Sequence, residues 1–233
     1  MNFKTAFVAA LAAAVLPASV RAESIEGAVE FTGTPPAMVK LHREADPFCA
    51  KTAMNDESVI VTDKKLANVW VHVTKGAPDT KVAADAKPVE VDQTNCMYKP
   101  RMQMAVVGQR LVAKNNDPTL HNVHTYLGST TVFNKGMPNE KAKPIDQLAE
   151  KDGMMKWKCD VHPWMRGYVG VNKNAFQAVT GTDGKFKIDG LSAGSYTIEA
   201  WHEKFGVKTV EIKVDAGKPA AASFKYDGTE KGT

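Results

Sequence analysis

Short apolar and β-branched runs, each interrupted by glycine, aspartate or proline, recur along this sequence. Residues 66–73 are an example, because Val69, Val71 and Val73 fall on one face of an extended chain and Trp70 falls on the other. Helical periodicity is almost absent. The pattern therefore predicts an all-β protein.

The first 22 residues follow a different pattern. A positive charge at Lys4 precedes an apolar run over residues 5–16 and a small-residue segment that ends at Ala22. This arrangement is typical of a secretory signal peptide, and the apolar run is too short for a permanent membrane span. We predict cleavage after Ala22 and a soluble periplasmic protein, with an uncleaved anchor as the alternative. Cleavage would remove Lys4 and Arg21 and lower the net charge from +4 to +2, which favours neither nucleic acid nor a membrane surface as a partner.

Three side chains that bind soft metal ions lie within one short segment, residues 158–167. They are Cys159, His162 and Met165. A thiolate and an imidazole suit copper, zinc or iron, whereas the thioether adds a weak, soft donor that zinc seldom uses. Upstream, His121 follows two predicted strands around a glycine turn and supplies a second imidazole. This donor set predicts a copper site.

The two segments that carry these donors also resemble a known family. The His-Asn-Val-His run at residues 121–124 and the Cys-x-x-His-Pro-aromatic-Met-Arg-Gly loop at residues 159–167 are similar to those of cupredoxins, the blue copper proteins. The resemblance covers about residues 89–171 and is closest to amicyanin- and plastocyanin-like members. It implies a Greek-key β-sandwich.

The resemblance also implies a role for individual side chains. One copper ion would be held by His121, Cys159, His162 and Met165. Asn122 would tie the two ligand loops together, while Pro163 and Trp164 would form an apolar docking patch around an exposed edge of His162. We predict a structural role for His124, because an offset of three residues places it on the opposite face of an extended strand from His121. Ligation by His124 is the alternative.

Cys159 is one of three cysteines. In an exported protein, three cysteines suggest one disulfide and one cysteine left over. Because the resemblance assigns Cys159 to copper, Cys49 and Cys96 become the predicted disulfide. Two buried free thiols are an alternative, and a second metal site formed by His42, Asp46 and Cys49 is another.

The flanking segments resemble a second family. The pattern Thr-Asp-Gly-x-Phe-x-Ile-x-Gly-Leu-x-x-Gly-x-Tyr-x-Ile at residues 182–198 is similar to the carboxypeptidase regulatory-like, or transthyretin-like, β-sandwich. Residues 173–227 offer only about four or five strands, fewer than the roughly seven of such a sandwich. We therefore predict a discontinuous domain of residues 23–86 and 173–227, interrupted by a copper domain of residues 87–172 and followed by a disordered tail, residues 228–233.

The predicted function is that of an exported one-electron carrier with one mononuclear blue, or type 1, copper ion. We predict no enzymatic activity, because the sequence offers neither a second metal site nor a nucleophile with a base. The predicted partners are redox proteins such as a c-type cytochrome or a periplasmic dehydrogenase, and the protein is predicted to be a monomer. The alternatives are copper storage or delivery, and docking to the envelope with a redox-sensing copper site.

Overall fold

The structure is a computed structural model that describes residues 23–232, so the predicted signal peptide lies outside the described residues. Within this range the chain is all-β, as predicted, and the one helical element is a short 3-10 turn, Cys49–Lys51. Nothing in the described range forms a helix with the length and apolar character needed to cross a membrane.

The strands of the described residues are, in chain order, β1 (Glu23–Phe31), β2 (Val61–Thr62), β3 (Lys65–Leu66), β4 (Trp70–Lys75), β5 (Val89–Thr94), β6 (Met97–Lys99), β7 (Met102–Val106), β8 (Arg110–Asn115), β9 (His121–Leu127), β10 (Thr130–Met137), β11 (Ile145–Leu148), β12 (Gly153–Lys158), β13 (Arg166–Asn172), β14 (Gln177–Val179), β15 (Lys185–Leu191), β16 (Gly194–His202), β17 (Gly206–Val214) and β18 (Ala220–Tyr226).

These strands form four sheets, which pair into two sandwiches with separate apolar cores. The terminal sandwich contains a sheet in the order β15-β1-β3-β2, with β18 also paired to β1, and a sheet in the order β14-β4-β16-β17. The central sandwich contains β10-β9-β12-β13-β7 and β11-β8-β5-β6. The terminal sandwich is thus built from both ends of the described chain, while β5 to β13 stay together in the central one.

Alternating side chains explain why these segments form strands. In β15, Phe186 and Ile188 are buried, whereas Lys185 and Lys187 are exposed. Successive side chains of a strand point to opposite faces, so this sequence covers a core with one face and meets solvent with the other. The same rule underlies the expectation made from residues 66–73, where the valines are buried in the terminal core.

The domain boundaries predicted from the sequence and the transthyretin-like character of the flanks stay proposals. The tail differs from the prediction of disorder, because residues 228–232 contact the terminal sandwich. Glu230 pairs with Lys208 at 2.6 Å, and the Gly232 N–H donates to the carbonyl oxygen of Lys204 at 2.9 Å.

An apolar contact joins the two sandwiches. Trp70 and Trp201 from the terminal sandwich form a buried cluster with Met102 from the central one. Gly170 in β13 leaves room for the Trp70 indole, since a Cβ at this position would lie 2.3 Å from the ring. A side chain at this position would therefore push the two sandwiches apart.

A buried ion pair crosses the same interface. The Arg101 Nε and Nη2 atoms donate to the two carboxylate oxygens of Glu203 at 2.5 and 2.9 Å, and the Tyr168 hydroxyl donates to Glu203 at 3.1 Å. Both charged side chains are about 95% buried. Bidentate geometry and the added hydroxyl compensate for the loss of hydration.

Removing one member of this pair should strongly destabilise the protein. We expect Arg101→Met or Glu203→Leu alone to lower the free energy of unfolding by about 3–5 kcal/mol, because each leaves a buried charge unpaired. The double variant should lose less than the sum of the two. Urea unfolding checks this, with the exposed Arg110–Asp146 pair as control. Additive losses would contradict the coupling.

Candidate metal centre

All four predicted metal ligands lie at one end of the central sandwich and are buried. His121 is the first residue of β9, and Cys159 directly follows β12, which pairs with β9 in the antiparallel sense. His162 and Met165 lie in the loop between β12 and β13. This loop is closed by hydrogen bonds from the Met165 N–H to the His162 carbonyl oxygen and from the Cys159 N–H to the Met165 carbonyl oxygen.

The donor atoms of three of these residues converge. The Nδ1 atoms of His121 and His162 are 2.9 Å apart, and the Cys159 Sγ lies 3.8 Å from the His162 Nδ1. All three ligand atoms lie within 4.8 Å of one another. Two imidazole nitrogens and one sulfur therefore face a common point.

Neighbouring polar groups hold the two ligand loops together. The Asn122 side chain accepts a hydrogen bond from the Asp160 N–H at 2.7 Å, and the Asn122 N–H donates to the Cys159 Sγ at 3.5 Å. The Tyr98 hydroxyl contacts the carbonyl oxygens of Asn122 and Lys158 at 2.9 and 3.0 Å. Asn122 thus connects the loops as the cupredoxin resemblance implies, and Tyr98 is an additional contact that sequence reasoning missed.

Each imidazole contacts a carboxylate through its other nitrogen. The His121 Nε2 lies 2.8 Å from an oxygen of Asp117, and the His162 Nε2 lies 3.2 Å from an oxygen of Asp46. Such carboxylate–imidazole contacts fix the orientation of metal-binding histidines and leave the opposite nitrogen free for the metal. The converging Nδ1 atoms are the nitrogens left over.

The two carboxylates decide which nitrogen of each ring donates outward. The His121 Nε2 donates to Asp117, and the His162 Nε2 donates to Asp46. Burial lowers the pKa of His121, but hydrogen bonding to Asp117 and Cys159 outweighs it and raises that pKa above its ordinary value.

Cys159 is correspondingly acidic. Burial raises the pKa of its thiol. Hydrogen bonds from His121, His162 and backbone N–H groups outweigh this effect and lower the pKa from 9.0 to about 6. The thiolate is the form of cysteine that binds metals. A thiolate and two converging imidazole nitrogens fit copper, and they exist here without rearrangement of the fold.

Met165 is fully buried in the same apolar cluster as Cys159 and Trp157. Its side chain belongs to the loop that carries two of the other donors. Its role as a fourth, axial ligand remains a prediction.

The surroundings of His162 differ from the expectation. The resemblance implies an exposed imidazole edge framed by Pro163 and Trp164, but His162 is only 2% exposed. Residues from the N-terminal part of the chain cover its outer nitrogen, with Asp46 in hydrogen-bond contact and the Cys49 Sγ at 3.7 Å. The Trp164 indole N–H donates to the Cys96 carbonyl oxygen at 3.0 Å, while Pro163 is exposed. Trp164 therefore packs within the protein and does not form a free docking patch.

Two of the three cysteines are bonded to each other in the structure. Cys49 and Cys96 form a disulfide with a Cα–Cα distance of 5.8 Å, and Cys159 is a buried free thiol. In the alternative site of His42, Asp46 and Cys49, the His42 side chain is 93% exposed, whereas Asp46 contacts His162 instead. The three residues do not converge.

The other histidines lie away from the converging donors. His124 pairs with Asp160 at 3.0 Å on the sheet surface. His72 stacks on Trp70 at 3.6 Å, and His202 stacks on Phe205. Both are buried, and burial lowers the pKa of His72 to about 4 and that of His202 to about 3. Both are therefore neutral at physiological pH and belong to packing.

The two carboxylates at the centre escaped sequence reasoning as partners of the ligands. Asp117 lies four residues before His121. In a helix this spacing would predict a contact, but in a loop it does not. Asp46 is 116 residues away from His162 in the sequence, so no local pattern connects them. The negative charge next to each histidine becomes visible only in the folded chain.

Comparison with known proteins finds solved structures that resemble part of the chain. The reduced state of an amicyanin mutant is 23% identical, with a TM-score of 0.33, over 44% of this chain and 98% of that chain. A purple cupredoxin from Nitrosopumilus maritimus is 22% identical, with a TM-score of 0.32, over 36% of this chain and 99% of that chain. No protein-family model matches the sequence, and no curated protein does. The ligand assignment is therefore based on the contacts within this chain.

Proposed function

We propose that this protein is a one-electron carrier with a single copper ion held by His121, Cys159, His162 and Met165. The observation that supports this most directly is the convergence of two imidazole nitrogens and an acidic thiol at a buried point. When bound, copper would supply one-electron chemistry by changing between Cu(I) and Cu(II). This donor set, two histidines and a cysteine with a weak axial methionine, is that of blue-copper electron-transfer sites.

The burial of the donors favours electron transfer over catalysis on a bound substrate. His121, Cys159 and His162 are each at most 2% exposed, so a substrate molecule cannot reach the donor atoms without displacing protein. The sheet positions of β9 and β12 fix the donors from two sides. A rigid site of this kind keeps the same geometry in two oxidation states, which is what a carrier needs.

We further propose that the protein is exported to the periplasm and exchanges electrons with other redox proteins, such as a c-type cytochrome or a periplasmic dehydrogenase. The signal-peptide pattern of residues 1–22 and the disulfide between Cys49 and Cys96 support export. Storage or delivery of copper is less favoured, because release would require opening a buried set of donors.

The copper centre is tested by adding one equivalent of Cu(II) to the mature protein. We expect an intense visible thiolate-to-copper charge-transfer band and a narrow copper hyperfine splitting in the EPR spectrum. Both should be lost in Cys159→Ser, because the thiolate is the source of both. His124→Gln is the matched control and should retain the spectrum. A pale spectrum with wide splitting in the wild type would contradict the blue-copper proposal.

A second test uses the metal-free protein and the acidity of Cys159. Its thiolate absorbance in the ultraviolet should appear near pH 6, instead of near the ordinary cysteine pKa of about 8.5. Because the unfolded chain holds this proton to higher pH, the wild type should gain stability over Cys159→Ser as pH rises from about 6 to about 9. The other two cysteines are in the disulfide and do not contribute.

The titration is followed by absorbance and by urea unfolding at each pH, with Cys159→Ser as the reference. A thiolate that appears only above pH 8 would mean that the histidines do not stabilise it. A constant stability difference across this window would lead to the same conclusion.

A further inference from the structure

A segment from the N-terminal part of the chain covers the outer nitrogen of His162. We call residues 43–52 the cap. One oxygen of Asp46 in the cap lies 3.2 Å from the His162 Nε2 and also accepts a hydrogen bond from the Thr119 hydroxyl at 2.7 Å. The His162 ring is thereby enclosed between the metal-facing donors on one side and a carboxylate on the other.

The Asp46 carboxylate is itself held in place. Its second oxygen accepts hydrogen bonds from the N–H groups of Phe48 and Cys49 at 2.8 and 2.9 Å. Both oxygens of Asp46 therefore accept hydrogen bonds, one from two backbone N–H groups and the other from Thr119 and His162, and these contacts fix the carboxylate against the imidazole.

The cap is fastened to the central sandwich at several points. The disulfide joins Cys49 to Cys96, and the Arg43 guanidinium donates to the carbonyl oxygens of Thr52 and Asn95 at 3.0 and 2.5 Å. The guanidinium also lies 6.0 Å above the ring of Trp164. The cap is thus fixed on both sides of Asp46.

The two carboxylates of the centre are tied to the same disulfide. The Cys49 N–H donates to Asp46, and the Cys96 N–H donates to Asp117 at 2.7 Å. Each cysteine of the bridge therefore holds the carboxylate that orients one imidazole, Asp46 for His162 and Asp117 for His121. The disulfide therefore connects the backbone groups that hold Asp46 and Asp117.

We propose that Asp46 is a positioning residue for His162, supplied by a cap outside residues 87–172 and held there by the Cys49–Cys96 disulfide. Accepting the Nε2 proton of His162 fixes the tautomer, so that the Nδ1 lone pair faces Cys159 and His121. The negative charge favours the more positive Cu(II) over Cu(I), and the contact stops the ring from swinging away from the other donors. This proposal depends on the proposed copper site.

The test replaces Asp46 by asparagine and compares it with Glu44→Gln. Asparagine keeps an oxygen for the N–H groups of Phe48 and Cys49, so the fold should survive. Glu44 lies in the same cap and is exposed, and among the charged groups of residues 23–232 it contacts only His42, at 3.9 Å. Its replacement therefore removes the same charge without touching the centre. Comparing the two variants distinguishes the loss of the contact with His162 from the general effect of removing one negative charge.

We expect Asp46→Asn to weaken Cu(II) binding by about 10- to 100-fold, the usual cost of losing such an outer contact. If Cu(I) affinity is unchanged, each tenfold loss raises the reduction potential by about 59 mV. Glu44→Gln should match the wild type in both. Competition with a copper chelator gives the affinities, and voltammetry gives the potential. Equal values for the two variants would overturn the proposal.

Loss of the disulfide should reproduce the effect without removing the carboxylate. In Cys49→Ser/Cys96→Ser, we expect the potential to rise in the same direction and chelators to extract copper faster, because Asp46 is no longer held against His162. Adding Asp46→Asn to that variant should then change little. A wild-type potential in the folded double-serine variant would show that the disulfide does not act through Asp46.

A measurement on the metal-free protein separates this proposal from the function. Nitrogen-15 NMR of the histidine side chains should show His162 protonated at Nε2 in the wild type and in Glu44→Gln, with that resonance shifted in Asp46→Asn. A wild-type protein that binds no copper would contradict the proposed function. The NMR result would still show whether Asp46 contacts the His162 Nε2. An unshifted resonance in Asp46→Asn would overturn the contact itself.

Discussion

The candidate metal centre depends on the pairing of each buried imidazole with a carboxylate. His121 and His162 have almost no exposed surface, and a buried polar group without a partner destabilises the fold. Asp117 and Asp46 satisfy the outer nitrogens, so the inner nitrogens are left to face each other and the sulfur of Cys159. The donor arrangement is therefore a consequence of where the carboxylates lie.

These carboxylates depend in turn on backbone groups next to the disulfide. Asp46 accepts from the Cys49 N–H and Asp117 from the Cys96 N–H, so the bridge fixes the spacing between two loops that otherwise share no strand pairing. Loops held by side chains alone sample many orientations, and ordering them costs conformational entropy. A covalent link between the cap and the central sandwich restricts the unfolded chain and so reduces the entropy that is lost when these loops are ordered. The precision of the centre thus comes from contacts outside the two ligand loops.

Local patterns in the sequence predicted the strands and the donor residues, since both depend on spacing within a few positions. Alternation in residues 66–73 and 185–188 placed apolar side chains on one face, and the spacing from Cys159 to Met165 placed three donors in one loop. The burial of His162 did not follow from any local pattern, because Asp46 lies 116 residues away and reaches it only through the fold.

The two sandwiches are therefore dependent on each other despite their separate cores. Residues 87–172 alone would contain the three donors but would lack Asp46 and the whole cap, so the orientation of His162 would lose its outer contact. Arg101 would lose Glu203, and the surface of β13 around Gly170 would lose the Trp70 indole that covers it. An unpaired buried arginine and an uncovered apolar face both favour unfolding or association. The terminal sandwich thus stabilises the central one at β13. The cap, which lies between β1 and β2 in the sequence, completes the environment of His162.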